Sequence, residues 1–184
     1  MTPPSDESSL TGNLLLAVPS MQDPNFKRTV IFLAAHSHKE GAFGYVLNRP
    51  LDQRVADLLP DQELGALGDV PVYIGGPVAT DKLAFASLHW NRKQSTLRCQ
   101  THLSVADAIL ELNLGHEVRG FVGYTGWSEG QVEGEIKRKS WIITPTKKII
   151  LSVEKPSSMW RAVLEEMGPL YQLMAHTPDR VDLN

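Results

Sequence analysis

The feature that most constrains this chain is a series of short apolar runs, each bounded by turn-forming residues. Residues 13–18 form one such run, and residues 29–35 form another after a polar loop. Runs of this length without alternation are typical of strands buried on both faces. The polar segment 37–41, closed by a glycine, then predicts a hairpin into a third strand over residues 42–47. Strands two and three are therefore expected to be antiparallel neighbours.

The rest of the chain mixes further strands with helices. Further strands are expected over residues 70–74, 83–88, 96–99, 118–124, 140–144 and 148–153. Helices are expected over residues 55–59, 104–115, 128–139 and 157–168. About eight strands and about four helices without strict strand–helix–strand alternation indicate an α+β fold with a mixed, largely antiparallel sheet.

The length of 184 residues favours one compact domain, because a single core can bury about 70% of the surface that an unfolded chain of this size exposes. Residues 1–9 carry two prolines and few apolar side chains, which predicts a flexible N-terminal arm. The domain is expected over residues 10–176, with a C-terminal tail over residues 177–184.

The charge balance argues against a nucleic-acid partner. Eighteen Lys and Arg against 21 Asp and Glu give a formal net charge of −3, opposite in sign to the footprint of a nucleic-acid binder. The basic run Lys137, Arg138 and Lys139 lies on a predicted helix whose glutamates offset its charge. No apolar stretch approaches the length of a membrane span, the polar start lacks the pattern of a signal peptide, and a single cysteine forms no internal disulfide. A cytoplasmic location is therefore expected.

Signatures of common enzyme classes and metal sites are missing. The sequence contains no phosphate-binding glycine loop, no nucleophile elbow and no paired cysteine motif, so we predict no catalytic residue and no cofactor. Cys99 lies in a predicted strand, where a lone cysteine is more often a small core residue than a nucleophile. His36 and His38 are spaced like two ligands on a strand, but no third ligand is in register nearby. A solvated turn is therefore favoured over a metal site.

Loops that follow the predicted strands contain residues suited to a small anion. Arg28 and Arg49 have the forked guanidinium that matches a carboxylate or phosphate. Ser128 and Gln131 form a capping-box pattern at a helix start, whose backbone N–H groups either hold an anion or are satisfied by the cap itself. The predicted ligand site contains Arg28, Asn48, Arg49, Gly75, Gly76, Gly126, Trp127 and Ser128. The alternative is that the glycines and Asn48 only form turns, the arginines form surface ion pairs, and Trp127 lies in the core.

Four ordered blocks of the sequence carry a family resemblance. Residues 12–30 contain GNLLLAVP and DPNFKRTV, residues 41–50 read GAFGYVLNRP, residues 72–78 read VYIGGPV, and residues 123–133 read GYTGWSEGQVE. From about Leu10 to Leu173 the chain resembles the AlgH/YqgE-like family of uncharacterised bacterial proteins.

The resemblance implies a single α+β domain with a mixed, partly barrel-like sheet, in a cytosolic protein without an established activity. Some members of the family are named for an influence on transcription. Gly134 and residues 177–184 depart from the usual family pattern, so no role of the C-terminus is carried over.

Three functions are compatible with the residues. A binding or regulatory module without catalysis is favoured, with a small anionic ligand or a protein partner, because glycine- and proline-rich loops follow the strands without a nucleophile, base or metal cluster. The alternative is an enzyme that acts on a small phosphorylated or carboxylated metabolite. A transcriptional regulator ranks third, since no helix-turn-helix with a basic recognition helix is visible. The oligomeric state is left open.

Overall fold

A computed structural model describes residues 9–178, which fold into nine strands and five α-helices. The strands are β1 (Asn13–Ala17), β2 (Val30–Ser37), β3 (Gly41–Val46), β4 (Pro50–Arg54), β5 (Pro71–Ile74), β6 (Val78–Asn91), β7 (Thr96–Leu103), β8 (Glu117–Trp127) and β9 (Trp141–Pro145). The helices are α1 (Val55–Leu58), α2 (Val105–Asn113), α3 (Gln131–Lys137), α4 (Met159–Glu165) and α5 (Pro169–Ala175). Of the predicted arm and tail, residues 1–8 and 179–184 lie outside the described residues.

The strands form one mixed sheet in the order β4-β5-β8-β3-β2-β1-β9, and β6 pairs with both β7 and β8. Within residues 9–178 the pairing of β5 with β8 is parallel, and the other strand pairs are antiparallel. The α+β class predicted from the sequence is confirmed. The sheet does not close into a barrel, because β4 and β9 stay at opposite ends of the strand order. None of the helices within the described part has the length and apolar character needed to cross a membrane.

Strand β1 is buried on both faces, as its continuous apolar run predicts. Leu14 and Leu16 belong to a core cluster on one face of the sheet, whereas Leu15 and Ala17 belong to a cluster on the other. The first cluster is closed by Trp160 of α4, which is 1% exposed and donates its indole N–H to the Ala17 carbonyl at 2.8 Å. A third cluster lies beneath α1 and α2. The helices therefore cover core clusters against which the mostly buried middle strands of the sheet pack.

Two prolines that follow predicted elements begin secondary structure of their own. Pro50 is the first residue of β4, an end strand where a missing N–H costs no ladder hydrogen bond. Pro169 is in the first turn of α5, where the N–H of any residue would lack an intrahelical acceptor, so proline loses no hydrogen bond there. The sequence predicted neither β4 nor α5, because a proline is equally typical of the end of the preceding strand or helix.

Two other boundaries differ from the sequence prediction. Residues Lys148–Leu151 form a 3₁₀ turn rather than a strand, since a short apolar run is compatible with either structure. Helix α3 begins at Gln131 rather than Ser128, because Gly130 takes a left-handed conformation with φ of 69° immediately before it. Gly130 is therefore outside the helix, where its lack of a side chain carries no helical cost.

Candidate functional site

The structure distributes the predicted ligand-site residues along the sheet rather than at one place. Trp127 lies opposite Ala42 near the start of β3, whereas Asn48 follows the end of that strand. These positions are roughly 20 Å apart along the strand direction. One group contains Arg28, Asn48 and Arg49, the other contains Gly126, Trp127 and Ser128, and Gly75 and Gly76 lie against the middle of β8. The structure does not bring the two outer groups together.

The group after β3 holds the chain that enters β2. Asn48 Oδ1 accepts a hydrogen bond from the Val30 N–H at 2.9 Å, and its Nδ2 donates to the Arg28 carbonyl at 2.8 Å. Arg49 Nη2 donates to the Lys27 carbonyl at 3.2 Å. These side chains therefore have structural partners, and anion binding by this group stays a prediction.

The two arginines have different surroundings. Arg28 lies over the ring of Trp160, with its guanidinium carbon 4.8 Å from the ring centroid, and donates to the Thr177 carbonyl. Burial lowers the pKa of Arg49, and the charge of Asp23 opposes that shift. Arg28 is thus packed against the core helix α4, while Arg49 faces an acidic neighbour.

Trp127 is a core residue, as the alternative interpretation expected. It is 7% exposed, and its indole N–H donates to Glu135 Oε2 at 2.9 Å. The indole N–H of Trp141 donates to the same oxygen at 2.8 Å. Ser128 donates its backbone N–H to Gln131 Oε1 at 3.1 Å, so half of the predicted capping box is formed.

Gly75 and Gly76 allow the chain between β5 and β6 to cross β8 in close backbone contact. A Cβ atom at Gly75 would lie 2.3 Å from the carbonyl oxygen of Gly123. A Cβ atom at Gly76 would lie 2.2 Å from the carbonyl carbon and oxygen of Tyr124. No side chain fits at either position without a movement of the backbone, which explains the two consecutive glycines.

A cavity opens immediately after this crossing, where β6 bulges away from β8. The two strands pair at Val78 and again at Leu83, so residues 79–82 stand opposite Gly123 alone. Bulges of this kind redirect side chains and are common next to functional sites. The cavity has a volume of about 360 Å³, and its lining includes Tyr45, Ala79, Lys82, His102, Gly123 and Tyr124.

Aromatic rings build one wall of this cavity around Phe43. The His102 ring stacks on Phe43 with centroids 5.3 Å apart and an interplanar angle of 27°. The rings of Tyr124 and Tyr45 contact the same phenylalanine at 5.2 and 5.1 Å. Tyr45 is in turn stacked on Phe121 at 4.3 Å, so the wall is fixed by the core.

Among the residues that the structure describes, five non-glycine residues have a positive φ, and two of them line this cavity. Ala79 has φ of 51° and His102 has φ of 56°, a conformation that residues other than glycine rarely adopt. His102 also belongs to a bulge in β7, where Thr101 and His102 stand opposite Ala86. Strained residues persist only where the surrounding structure enforces them, and they are enriched at ligand sites.

Three polar side chains that line the cavity have no hydrogen-bond or ion-pair partner among residues 9–178, whereas His102 Nδ1 contacts Thr101 Oγ1 at 3.2 Å. The three groups are the exposed ammonium of Lys82 and the hydroxyls of Tyr45 and Tyr124. Burial raises the pKa of Tyr45 to about 12, with a smaller contribution from Cys99. The Tyr45 hydroxyl therefore stays protonated near neutral pH and is available as a donor. Apart from Gly75 and Gly76, which flank the cavity, the sequence predicted none of its residues.

A second cluster joins His36, His38 and Glu133 where the end of β2 meets α3. His36 Nε2 and His38 Nδ1 lie 2.8 and 2.9 Å from Glu133 Oε1. The expectation that the histidines have no third group nearby is wrong, because Glu133 comes from a helix 97 residues along the chain. The expected solvated turn is also wrong for His36, whose side chain is 0% exposed.

The tautomer of His36 decides what this cluster does. The Leu10 N–H donates to His36 Nδ1 at 3.0 Å, so this nitrogen has no proton, and the ring proton is on Nε2. Nε2 then donates to Glu133. The candidate ligand atoms of the three residues lie within 4.8 Å of one another. A metal bound at His36 Nε2 would require the ring proton on Nδ1, where it would face the Leu10 N–H. The geometry favours a hydrogen-bonded contact between β2 and α3 over a metal site.

Cys99 packs against the first core cluster, in line with the role predicted from the sequence. Burial raises the pKa of its thiol to about 12, and the charge of Arg119 opposes that shift only in part. The thiol is therefore protonated at neutral pH, which is unfavourable for a nucleophile.

Comparison with known proteins assigns the family. A family model described as AlgH-like matches residues 14–172. The chain belongs to the AlgH-like family. A UPF0301 protein of Dechloromonas aromatica is 34% identical over 173 residues, covering 89% of this chain and 92% of that protein. A UPF0301 protein of Streptomyces avermitilis is 34% identical over 192 residues and covers 98% of both chains.

Two solved structures extend the AlgH-like similarity to the fold. The solution structure of the AlgH protein from Pseudomonas aeruginosa has a TM-score of 0.64 and 30% identity, covering 97% of this chain and 98% of that one. The crystal structure of protein DIP2367 from Corynebacterium diphtheriae has a TM-score of 0.70 at 23% identity and covers 93% of both chains. The family predicted from the four sequence blocks is thus confirmed, and the names of these relatives state no activity.

Proposed function

We propose that this chain binds a small anionic ligand that carries a planar ring, in the cavity beside the β6 bulge. The proposal keeps the non-catalytic binding role predicted from the sequence. It depends on one observation, which is that a lysine, two tyrosines and a histidine stacked on Phe43 line one cavity of about 360 Å³. Small-molecule sites are typically concave and largely apolar, with a few polar groups that fix the orientation of the ligand.

The aromatic wall is the part that would receive the ring of the ligand. Phe43 contacts the rings of both His102, which is stacked on it, and Tyr124, which is tilted by 48°, and these two outer residues line the cavity. Stacked or edge-on aromatic contacts contribute about 0.5 to 1.5 kcal/mol beyond the area that they bury. A flat unsaturated ring is therefore preferred over a sugar or an aliphatic chain.

The polar groups are the part that would receive the charge. Lys82 has no ion pair among residues 9–178, and Tyr45 is protonated at neutral pH, since burial raises its pKa further above the ordinary value, to about 12. An ammonium and a hydroxyl donor together suit a carboxylate or phosphate oxygen. This chemistry agrees with the small anionic ligand expected from the sequence, although the residues that supply it are different ones.

Gly75 and Gly76 are the two residues of the sequence-predicted site that belong to this proposal. They let the chain pass Gly123 and Tyr124 at backbone contact distance, and the bulge that opens the cavity follows directly. A cytosolic location is part of the same proposal, since the single cysteine forms no internal disulfide.

Isothermal titration calorimetry with phenyl phosphate, benzyl alcohol and inorganic phosphate tests the two parts separately. We expect phenyl phosphate to bind about tenfold more tightly than either other compound, because it alone offers both ring and charge. Lys82→Gln should weaken phenyl phosphate about fivefold, or about 1 kcal/mol for an exposed charge pair, and leave benzyl alcohol unchanged. Tyr45→Phe should also weaken phenyl phosphate, since it removes the hydroxyl and keeps the packed ring.

Lys93→Gln is the matched control, because it removes the same charge at the turn between β6 and β7. Equal binding of phenyl phosphate by the wild type and Lys82→Gln would contradict the proposed anion position. Absence of binding heat with all three compounds would contradict the ligand class.

A further inference from the structure

Strand β9 is at one end of the sheet, and its pairing with β1 fixes which backbone groups face outward. The Val18 N–H donates to the Ser140 carbonyl at 3.3 Å, and these residues are directly opposite in the register that pairs Ala17 with Trp141. Opposite residues of an antiparallel pair alternate between hydrogen-bonded and non-bonded positions. The N–H and C=O groups of Trp141 and Ile143 therefore point away from β1.

These outward groups have no partner in the part of the chain that the structure describes. No backbone or side-chain group of residues 9–178 accepts a hydrogen bond from the N–H of Trp141 or Ile143, although Trp141 is only 5% exposed. Peptide N–H groups at buried positions are rarely left unpaired. Pro145, at the next outward position, has no N–H and ends the open stretch.

An apolar groove of about 600 Å³ runs along this open edge. Trp141 and Ile143 pack into the core cluster on one face of the sheet, and Ile142 packs against the cluster on the other face. All three line the groove, so the groove follows the strand edge and not one face. Its walls are formed by α5, which contributes Leu170 with 63% exposure, and by Pro19 after β1.

Positive charge lies at the end of the groove where β9 begins. Lys137, Arg138 and Lys139 are exposed, and none of them forms an ion pair within residues 9–178. The glutamates of the same helix are engaged elsewhere, since Glu133 contacts the histidines of β2 and Glu135 accepts the two indole N–H groups. The basic run therefore has no direct ion-pair partner in the described part of the chain.

We propose that the open edge of β9 binds an extended peptide segment of a partner protein, with apolar side chains at alternate positions and acidic residues next to Lys139. An added strand satisfies the outward N–H and C=O groups, and its alternate side chains enter the groove. A peptide fits better than a second copy of this chain. A single extended segment enters the groove between α5 and Pro19, and its acidic residues complement Lys139 at the end of the groove.

Selection of a phage-displayed library of random short peptides on the full-length chain tests this inference. We expect enriched peptides to alternate apolar and polar residues and to carry Asp or Glu at one end. In amide-exchange NMR, the bound peptide should protect the N–H groups of Trp141 and Ile143 and leave those of Ile142 and Thr144 as they were. Lys139→Gln should weaken the selected peptide several-fold, whereas the control Lys93→Gln should not.

Two variants separate backbone pairing from simple apolar contact. Ile143→Pro removes one outward N–H, and N-methylation of the selected peptide at alternate residues removes the matching donors without changing the protein. Both should reduce affinity at least about tenfold. The inference is overturned if no sequence pattern is enriched, or if N-methylated peptides bind as well as unmodified ones. It is also overturned if sedimentation shows a dimer that Ile143→Pro abolishes, since the edge would then pair with a second copy.

Discussion

Glu133 on α3 accepts a hydrogen bond from His36 on β2, with Oε1 and Nε2 2.8 Å apart and the histidine side chain fully buried. Burial raises the pKa of Glu133, but hydrogen bonds from its own backbone N–H and from His36, together with electrostatic interactions with His36 and His38, lower it further than burial raises it. The net pKa is below the ordinary value of 4.5. The contact between strand and helix therefore depends on an ionised Glu133.

Glu133→Gln should lower the free energy of unfolding by about 1 to 2 kcal/mol at pH 7, because a charge-assisted hydrogen bond becomes a neutral one. A lowered folded-state pKa stabilises the fold above the unfolded-state pKa and loses that contribution as the pH falls through the folded-state value. The difference in unfolding free energy between the wild type and the variant, measured in urea, should therefore shrink as the pH falls below 4.5. Glu129→Gln, at an exposed position, is the control. A difference that stays constant from pH 7 to pH 3 would contradict this role.

Glu135→Ala should destabilise the fold by about 2 to 4 kcal/mol, because it leaves the buried indole N–H groups of Trp127 and Trp141 without their shared acceptor. Glu135→Gln keeps an amide oxygen at the same position and should cost less. Chemical denaturation followed by tryptophan fluorescence measures both variants. Equal stability of the two variants would show that the shared oxygen is not what holds the indoles.

Gly76→Ala should destabilise the chain by at least about 3 kcal/mol, because its Cβ would lie 2.2 Å from the backbone of Tyr124. The control is Gly12→Ala, where φ is +83° but no atom lies within 4 Å of the added Cβ. That variant should lose only about 1 kcal/mol, from the left-handed conformation alone. Similar losses in the two variants, measured by urea unfolding, would contradict the close crossing at β8.

Cys99 should react slowly with iodoacetamide at pH 8, because burial raises the pKa of its thiol to about 12 and the thiolate is the reactive form. The rate should rise steeply in denaturant, where the thiol returns to its ordinary pKa near 9.0. Mass spectrometry of the alkylated protein measures both rates. Rapid labelling of the folded chain would contradict the packing role.

The sequence predicted the central strands well and the candidate site poorly, for different physical reasons. Continuous apolar runs identify β1, β2 and β3 because burial on both faces leaves no polar alternation. The cavity depends on two bulges, at residues 79–82 of β6 and at His102 of β7, and a bulge is a property of strand register that no single strand encodes. The Gly75–Gly76 pair was the one local signal of the cavity in the sequence.

The contact of Glu133 with His36 shows the same limit. Glu133 lies on the predicted helix that carries the basic run, but its partner is on a strand 97 residues away. Helical spacing describes neighbours along one helix. It does not say which distant strand a side chain meets.

The most direct test of the binding proposal is an amide NMR titration of the full chain with phenyl phosphate. The account predicts chemical-shift changes at Val78, residues 79–82, Leu83, Gly123 and Tyr124, which surround the β6 bulge, and predicts that Lys82→Gln reduces them at the same ligand concentration. Shift changes confined to the ends of β3, around Asn48 or Ser128, or no changes at millimolar ligand, would contradict it.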